Sequence, residues 1–406
     1  MSSSASAYRE LARTPGVIRI IAAQLTARFP SGMVSLGILI HIEHMTHSYG
    51  AAGTVLAAMS IGQAVAGPIT SRWMGRWGMR PVLSLLTLVY AATLTALALA
   101  PLPVPVLVAL GLIAGLATPP VQSAVRTIYP KLVNSRQLTA LYSLDASLQE
   151  LIWVVAPVLV TFLALQISSV VALLAVVLIA LLGGAWFIFS PEVGRVRIPR
   201  SRAAFGRVLR KPTVILTTSI GLLFIGATAA IETGIVATFG EGGLESGLVL
   251  AAYALGSLAG GLGSGGIPMS PWSTARRLCI VALGSALTLV WLGNPWWLGF
   301  ALFVAGVGFA PALASMLAAT SASVKFSETA EAYGWINTGQ LIGAALGSMI
   351  GGFAIDGTGP VGAYYVSIGM VVLAAVVAAV FHRGFPDLRH RDASPIPDTE
   401  QVPVIT

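Results

Sequence analysis

Long apolar stretches alternate with short polar ones along most of the chain. A helix that crosses a bilayer needs roughly 20 mostly apolar residues, and twelve stretches satisfy this requirement. Short segments rich in turn-forming residues, such as SYGAAG and GNPWW, separate them. The pattern predicts an all-α integral membrane protein. Its predicted transmembrane helices cover residues 17–40, 51–71, 80–100, 103–125, 138–163, 168–190, 213–238, 244–264, 272–293, 296–322, 329–355 and 360–382.

One long hydrophilic segment interrupts this series and divides the helices six plus six. It is rich in arginine, whereas the C-terminal tail is charged and rich in proline, a composition typical of disorder. We therefore predict five segments. They are a cytoplasmic N-terminal segment (1–16), a six-helix bundle (17–190), a basic cytoplasmic loop (191–212), a second six-helix bundle (213–382) and a disordered cytoplasmic tail (383–406).

The composition agrees with a membrane protein and excludes several kinds of site. Hydrophobic residues make up 56% of the chain and charged residues only 9%, whereas soluble domains contain about 25% charged residues. A single cysteine, Cys279, rules out an internal disulfide and a cysteine-based metal site. Neither a phosphate-binding GxxxxGK[ST] loop nor an HExxH zinc motif is present. We expect no enzyme activity, no bound metal and no cofactor.

Three histidines, His41, His44 and His47, lie beside Glu43 in the segment HIEHMTH. Histidines at this spacing can bind a metal or respond to external pH. A helix end at the membrane surface is the interpretation that the sequence favours, because no fourth firm metal ligand is present. The sequence leaves the other two alternatives open.

Lysine and arginine fall on one side of the predicted helices. With a cytoplasmic N-terminus, all of them lie in cytoplasmic segments or at adjacent helix ends, except Arg28. This bias predicts that both termini are cytoplasmic. We expect the membrane to be a bacterial plasma membrane. The net charge of +8 then reflects topology and contact with anionic lipid. A nucleic-acid partner is not expected, because no soluble basic domain gathers the charge.

The two halves of the chain repeat each other. The segment GTVLAAMSIGQAVAGP (53–68) aligns with GLVLAAYALGSLAGGL (247–262), and GLATPP (115–120) aligns with GVGFAP (306–311). A similar offset places Asp145 opposite its counterpart in the second half, Asn337. Helices repeated in parallel order predict two pseudo-symmetric six-helix bundles, with a midplane site between them, as in transporters.

The loop after the second helix, SRWMGRWGMR, resembles the GxxxDRxGRR motif of the major facilitator superfamily. Arg76, Gly78 and Arg80 fit the motif, and Gly75 stands at its acidic position. The resemblance covers twelve helices divided six plus six by a basic loop, and it implies that fold. It also implies a cytoplasmic gate at this loop. The predicted gate residues are Arg72, Arg76, Gly78 and Arg80.

The fifth helix resembles the Gx8GPxxG antiporter motif of the same superfamily, with Ser147, Ala156, Pro157 and Val160 at the matching positions. The resemblance implies the branch that exports drugs, sugars or metabolites against a proton gradient. We expect a secondary active transporter that works by alternating access as a proton-coupled exporter, and as a monomer. An uptake carrier of the same fold is the alternative. A transporter-derived sensor or a membrane enzyme is more remote.

Polar side chains inside a membrane are costly and therefore mark function by default. Glu150 lies nearest the midplane of the fifth helix and is the expected proton site, with Asp145 as a relay or as a partner of Arg72 or Arg76. Arg28 is the one basic residue near the bilayer centre, and Glu150 is its predicted partner. Arg126 is expected to extend to the cytoplasmic surface. The predicted substrate and proton pathway contains Gln24, Arg28, Gln122, Tyr142, Asp145, Gln149, Glu150, Trp153, Glu232, Asn337 and Gln340.

Overall fold

The computed structural model describes residues 2–201, 203–239 and 244–398, and within them it contains fifteen α-helices and no β-strand. In chain order the helices are α1 (Ser2–Arg13), α2 (Val17–Thr46), α3 (Tyr49–Trp77), α4 (Met79–Leu99), α5 (Val104–Leu116), α6 (Val121–Leu132), α7 (Ser135–Gln166), α8 (Ser169–Phe189), α9 (Pro191–Arg195), α10 (Pro212–Phe239), α11 (Leu244–Ser264), α12 (Ser273–Leu287), α13 (Pro295–Ser323), α14 (Thr329–Thr358) and α15 (Val361–Val380).

The twelve predicted transmembrane helices are confirmed. Twelve helical stretches are long and apolar enough to cross a bilayer. The fourth consists of two α-helices, α5 and α6, whereas each of the others contains a single α-helix. Pro119 and Pro120 cause this break, because proline supplies no backbone N–H to the preceding turn.

The helices pack mainly within each set of six spans. In the first half, α2 packs against α7 and α8, and α3 packs against α5. In the second half, α10 packs against α14 and α15, and α11 packs against α13. Two pairs of helices, α3 with α14 and α7 with α11, make the main contacts between the halves.

The internal repeat is visible in how these helices approach each other. A Cβ atom at Gly115 of α5 would lie 2.0 Å from the backbone oxygen of Met59 in α3. At the repeat-related Gly306 of α13, a Cβ atom would lie 2.2 Å from the backbone oxygen of Tyr253 in α11. Glycine thus permits the same close backbone contact in both halves.

An even number of spans brings the two ends of the described chain to one end of the bundle. We call it the basic end, and it is formed by α1, the described part of the tail, the loops at Gly78 and Val133, and residues 190–201, 265–272 and 324–328. The other end is called the opposite end. Basic side chains stabilise the basic end, where Arg19 pairs with Glu192 and Lys211 pairs with Glu328 at 2.8 Å.

The tail predicted to be disordered, residues 383–406, is ordered as far as the structure describes it. Phe385 and Ala393 are buried. The backbone N–H of Ile396 donates to the oxygen of Val324 at 2.9 Å. Apolar side chains dispersed among the prolines therefore seat this segment on the second half. The remainder of the tail lies outside the described residues.

Candidate substrate and proton site

Asp145 is the centre of a buried polar network in the first half. Its fully buried carboxylate on α7 accepts four hydrogen bonds from two other helices, α2 and α6. Oδ1 accepts from Gln24 Nε2 at 3.2 Å, Arg28 Nη1 at 3.0 Å and Tyr129 Oη at 3.1 Å. Oδ2 accepts from Arg126 Nε at 3.0 Å. One acid therefore holds α2, α6 and α7 together.

The network contains two guanidinium groups and one carboxylate. Arg28 and Arg126 are 8% and 2% exposed, and each pairs with Asp145 at 3.0 Å. A guanidinium keeps its proton in proteins, so the three groups together carry one excess positive charge. Buried charge that is not fully paired is costly, and such a cluster favours an anion.

Two glutamine amides complete the network on its less buried side. Gln149 Oε1 accepts from Nη2 of Arg28, and also from Nη2 of Arg126 at 3.3 Å. The Gln122 amide, with its oxygen toward Arg126, accepts from Nη1 at 2.6 Å and Nη2 at 2.9 Å. The Gln149 oxygen thus occupies the point on which both guanidinium groups converge.

The predicted pair of Arg28 with Glu150 is wrong, and so is the predicted pairing of Asp145 with Arg72 or Arg76. Asp145 and Gln149 lie four residues apart on the face of α7 that meets α2, whereas Glu150 is rotated about 100° from Gln149. The expectation that Arg126 extends to the surface is also wrong. Its burial makes it a site residue that sequence reasoning missed, together with Tyr129.

Glu150 belongs to a second group of acids at the contact between the halves. It is 7% exposed, and its Oε1 has no hydrogen-bond partner in the described structure. Glu232 of α10 is exposed and lies within electrostatic range of it. The Tyr253 hydroxyl of α11 is within range of both carboxyl groups. The structure therefore brings together the two acids that the sequence suggested as protonation sites.

The remaining predicted pathway residues are more scattered. Tyr142 Oη lies 2.7 Å from Tyr333 Oη, which joins the two halves. Trp153 is 52% exposed and is absent from the network around Asp145. On α14, Asn337 is half-buried, and Gln340 is buried with its Nε2 unpaired.

Sequence comparison identifies the family. The profile described as the Major Facilitator Superfamily matches residues 20–338 and 277–404. The chain belongs to the major facilitator superfamily. Members of this superfamily are transporters, so the chain is a multi-pass membrane protein for transport, with a small molecule as its substrate. A search of curated protein sequences finds no match.

Solved structures of the superfamily share this fold. The human organic anion transporter MFSD10 (TETRAN) has a TM-score of 0.68 and 15% identity, over 89% of this chain and 98% of that one. A bacterial homologue of the iron transporter ferroportin, in an outward-facing state, has a TM-score of 0.72 and 15% identity, over 90% of this chain and 99% of that one. Similarity at this identity establishes the fold alone.

The superfamily's loop motif sits where α3 meets α14 at the basic end. Arg72 Nη1 pairs with Glu331 Oε2 of the other half at 3.0 Å, and Arg72 also donates to the oxygen of Ala203. Nearby, Thr338 Oγ1 donates to the oxygen of Ala64 at 2.7 Å. Glu331 was not predicted, and it supplies an acid to a loop whose own acidic position is glycine.

The other predicted gate residues shape the loop itself. The Arg76 guanidinium lies 5.6 Å from the ring centroid of Trp77. Gly78 has a φ of +94°, which only glycine adopts without strain, and it separates α3 from α4. Arg80 Nε donates to the oxygen of Ile188 at 3.0 Å. These contacts lie within the first half, so Arg72 is the motif residue that joins the halves.

The histidines near the opposite end have separate roles. His41 Nδ1 lies 3.0 Å from Ser169 Oγ, which connects α2 to α8. His47 ends α2 in a left-handed conformation with a φ of +51°. Over residues 2–201, 203–239 and 244–398, no group of three or more histidine, cysteine or acidic side chains is placed to hold a metal ion.

Proposed function

We propose that the chain is a secondary active transporter that couples a small molecule to protons and works as an exporter. The observation that supports coupling is that buried Glu150, whose Oε1 is unpaired, lies within electrostatic range of Glu232 of the other half. A buried carboxyl group without a hydrogen-bond donor favours its protonated form. Protonation removes charge from the contact between the halves, which allows them to move relative to each other.

The proposed mechanism is alternating access, with the basic end in the cytoplasm. The lysine and arginine distribution supports this orientation. Hydrogen bonds join the halves at the basic end, including Ser143 Oγ to the oxygen of Gly261 at 2.7 Å and Tyr8 Oη to the same oxygen at 2.8 Å. With this orientation the end at which the halves are joined faces the cytoplasm, which corresponds to an outward-facing state. We further propose a monomer in a bacterial plasma membrane.

Flux measurements on the Glu150→Gln variant test the coupling. Proteoliposomes are loaded with the compound that most raises the unfolding temperature in a metabolite screen. We expect Glu150→Gln to abolish flux driven by a pH gradient and to leave substrate exchange without a gradient. Glu245→Gln, at an exposed position of α11, is the matched control. Gradient-driven flux at the wild-type rate in Glu150→Gln would contradict the proposal.

Proton-coupled uptake is a second candidate, favoured by the excess positive charge around Asp145. An anion bound there adds negative charge to the half that carries Glu150, and so favours its protonated form. Anion and proton would then move in the same direction. An imposed inward proton gradient separates the two, because it drives substrate out of the cell through an exporter and into it through an uptake carrier.

Cysteine labelling tests the orientation. Ser48→Cys and Ser201→Cys are placed at opposite ends of the bundle, in a Cys279→Ser background because Cys279 is exposed. We expect an impermeant thiol reagent to label Ser48→Cys in intact cells and to label Ser201→Cys only after lysis. Labelling of Ser201→Cys in intact cells would reverse the orientation.

A further inference from the structure

We infer that α2, α6 and α7 form a binding site for a monovalent organic anion, in which Arg28 and Arg126 hold the anionic group at the position of the Gln149 amide oxygen. The inference names the substrate class of the proposed transporter and therefore rests on the proposed function. Three observations support it: the charge of the buried cluster, the unused hydrogen-bond donors of its arginines, and the position of the Gln149 side chain.

Charge is the first argument. Two buried guanidinium groups share one carboxylate at 3.0 Å each. The nearest acid along α7 is Glu150, and its carboxyl group lies near Glu232 of the other half instead. One negative charge brought by a ligand would balance the cluster. A cation would be repelled by both arginines at that point.

Hydrogen-bonding capacity also indicates a negatively charged ligand. A carboxylate offers about four acceptor sites, and Asp145 already accepts from four donors. A guanidinium has five N–H donors. In Arg28, three of them go to Gln24, Asp145 and Gln149, and the described structure gives the other two no acceptor. The unused capacity consists of donors, which recognise an acceptor such as a carboxylate, sulfonate or phosphate diester.

Position identifies Gln149 as the group that a ligand would replace. Its oxygen accepts from both guanidinium groups, yet it is a neutral amide on a half-buried side chain, whereas Asp145 is fully buried. Hydrogen bonds from guanidinium to an ionised oxygen are roughly twice as strong as bonds to a neutral one. A ligand carboxylate would therefore displace this amide and leave Asp145 in place.

Two substitutions at one position provide the test. Gln149→Glu places a carboxylate between the arginines and balances the charge internally, so we expect it to lower anion affinity at least about tenfold. Gln149→Ala removes the competing oxygen, so we expect anion affinity to rise about threefold or more. Neither substitution removes a partner of Asp145.

The measurement is the unfolding temperature of the purified full-length protein in detergent, at constant ionic strength and without a pH gradient. The probes are the monovalent anions benzoate, benzenesulfonate and hexanoate, with benzamide and benzylamine as matched neutral and cationic compounds. We expect one or more of the anions to stabilise the wild type and Gln149→Ala, and the matched amide and amine to have no effect.

Three outcomes would overturn the inference. They are stabilisation by none of the anions, equal stabilisation by the amide or the amine, and undiminished anion binding in Gln149→Glu. If Gln149→Glu does not fold, unchanged or lower anion affinity in Gln149→Ala overturns it as well. Unliganded Gln149→Glu should also unfold at a higher temperature than the wild type, because its charges are balanced.

The failure of the anion site and the failure of proton coupling are distinguishable. If anion binding is lost in Gln149→Glu but flux does not depend on the pH gradient, the anion site is supported and proton coupling is contradicted. If the pH gradient drives flux of a neutral compound, and this flux persists in Gln149→Glu, proton coupling is supported and the anion site is contradicted. Glu150→Gln should retain anion binding while it loses gradient-driven flux.

Discussion

The two halves share a packing scheme but differ in their buried chemistry. In the first half, Asp145 lies between Arg28 and Arg126. In the second half, the repeat places Asn337 at the position of Asp145, and Leu317, which is fully buried, at the position of Arg126. At these two positions the repeated fold provides the scaffold, and only the first half carries charge there.

Aromatic packing occupies the second half instead. The rings of Phe224 and Phe309 have centroids 4.8 Å apart, and Tyr253 stands edge-on to Phe309 at 5.5 Å. Aromatic pairs of this kind contribute about 0.5–1.5 kcal/mol beyond burial. Apolar contacts of this kind can relax around a cavity when one side chain is shortened. A carboxylate buried between two arginines has no such option, because its removal leaves charge uncompensated.

Substitution of Asp145 should have the largest effect on the difference between the halves. Asp145→Asn leaves two guanidinium groups buried without a counter-charge, which we expect to cost about 3–5 kcal/mol of unfolding free energy. The repeat-related Asn337→Ala should cost under about 1 kcal/mol. Thermal unfolding in detergent measures both. Equal losses at the two positions would show that the charge asymmetry is not structural.

A double-mutant cycle separates Asp145 from Glu150 as the partner of Arg28. Arg28→Gln combined with Asp145→Asn should be non-additive, with an interaction free energy of roughly 0.5–3 kcal/mol. Arg28→Gln combined with Glu150→Gln should be additive to within about 0.5 kcal/mol. The reverse result would contradict the observed pairing.

Glycine contacts test what the halves have in common. Gly115→Ala and Gly306→Ala each introduce a Cβ about 2 Å from a backbone oxygen, so both should cost about 1–3 kcal/mol. The repeat-related controls Gly53→Ala and Gly247→Ala meet no atom within 4 Å and should change stability by under about 0.5 kcal/mol. A large loss in one half alone would indicate that the packing schemes differ.

The smallest effect is expected at the contact between the halves. Arg72→Ala removes the ion pair with Glu331, whose other oxygen still accepts from the N–H of Gly206 at 2.8 Å. A partly exposed pair contributes about 1 kcal/mol at most, so the basic end should open more often without unfolding.

Spin labels detect this opening. Trp77→Cys and Ile267→Cys lie at the basic end in different halves, both exposed, and are labelled in the Cys279→Ser background. We expect Arg72→Ala to broaden the distance distribution toward longer distances. Arg389→Ala removes an exposed ion pair with Asp387 in the tail and is the control. An unchanged distribution in Arg72→Ala would show that this pair does not hold the basic end closed.

The fold was predictable because a bilayer imposes helix length and the positions of charge. The site was predictable only in part. Polar residues inside apolar helices identified Arg28, Asp145 and Glu150, but axial depth does not give the rotation of one helix against another. Five residues advance a helix by about 7.5 Å and rotate it by about 140°, so Asp145 and Glu150 face different neighbours.

Two features that the sequence analysis did not predict, the buried Arg126 and the ordered tail, are nevertheless indicated by the sequence. Arg126 lies four residues after Gln122, on the same face of α6, and the ThrProPro run before it announces the break that begins this helix. In the tail, Phe385 and Ala393 are apolar residues within a proline-rich segment whose average composition resembles disorder. Composition averages over a segment, whereas packing depends on individual side chains.

The break between α5 and α6 has a mechanical consequence. The glycine contact with α3 anchors α5, whereas α6 is a lever with its pivot at Pro120. Arg126 lies six residues beyond this pivot, about 9 Å along the axis. A tilt of about 10° would carry its backbone roughly 1.5 Å sideways. That displacement is enough to break a 3.0 Å hydrogen bond to Asp145. In the proposed anion site, such a tilt of α6 would move Arg126 relative to Asp145 while the glycine contact holds α5 in place.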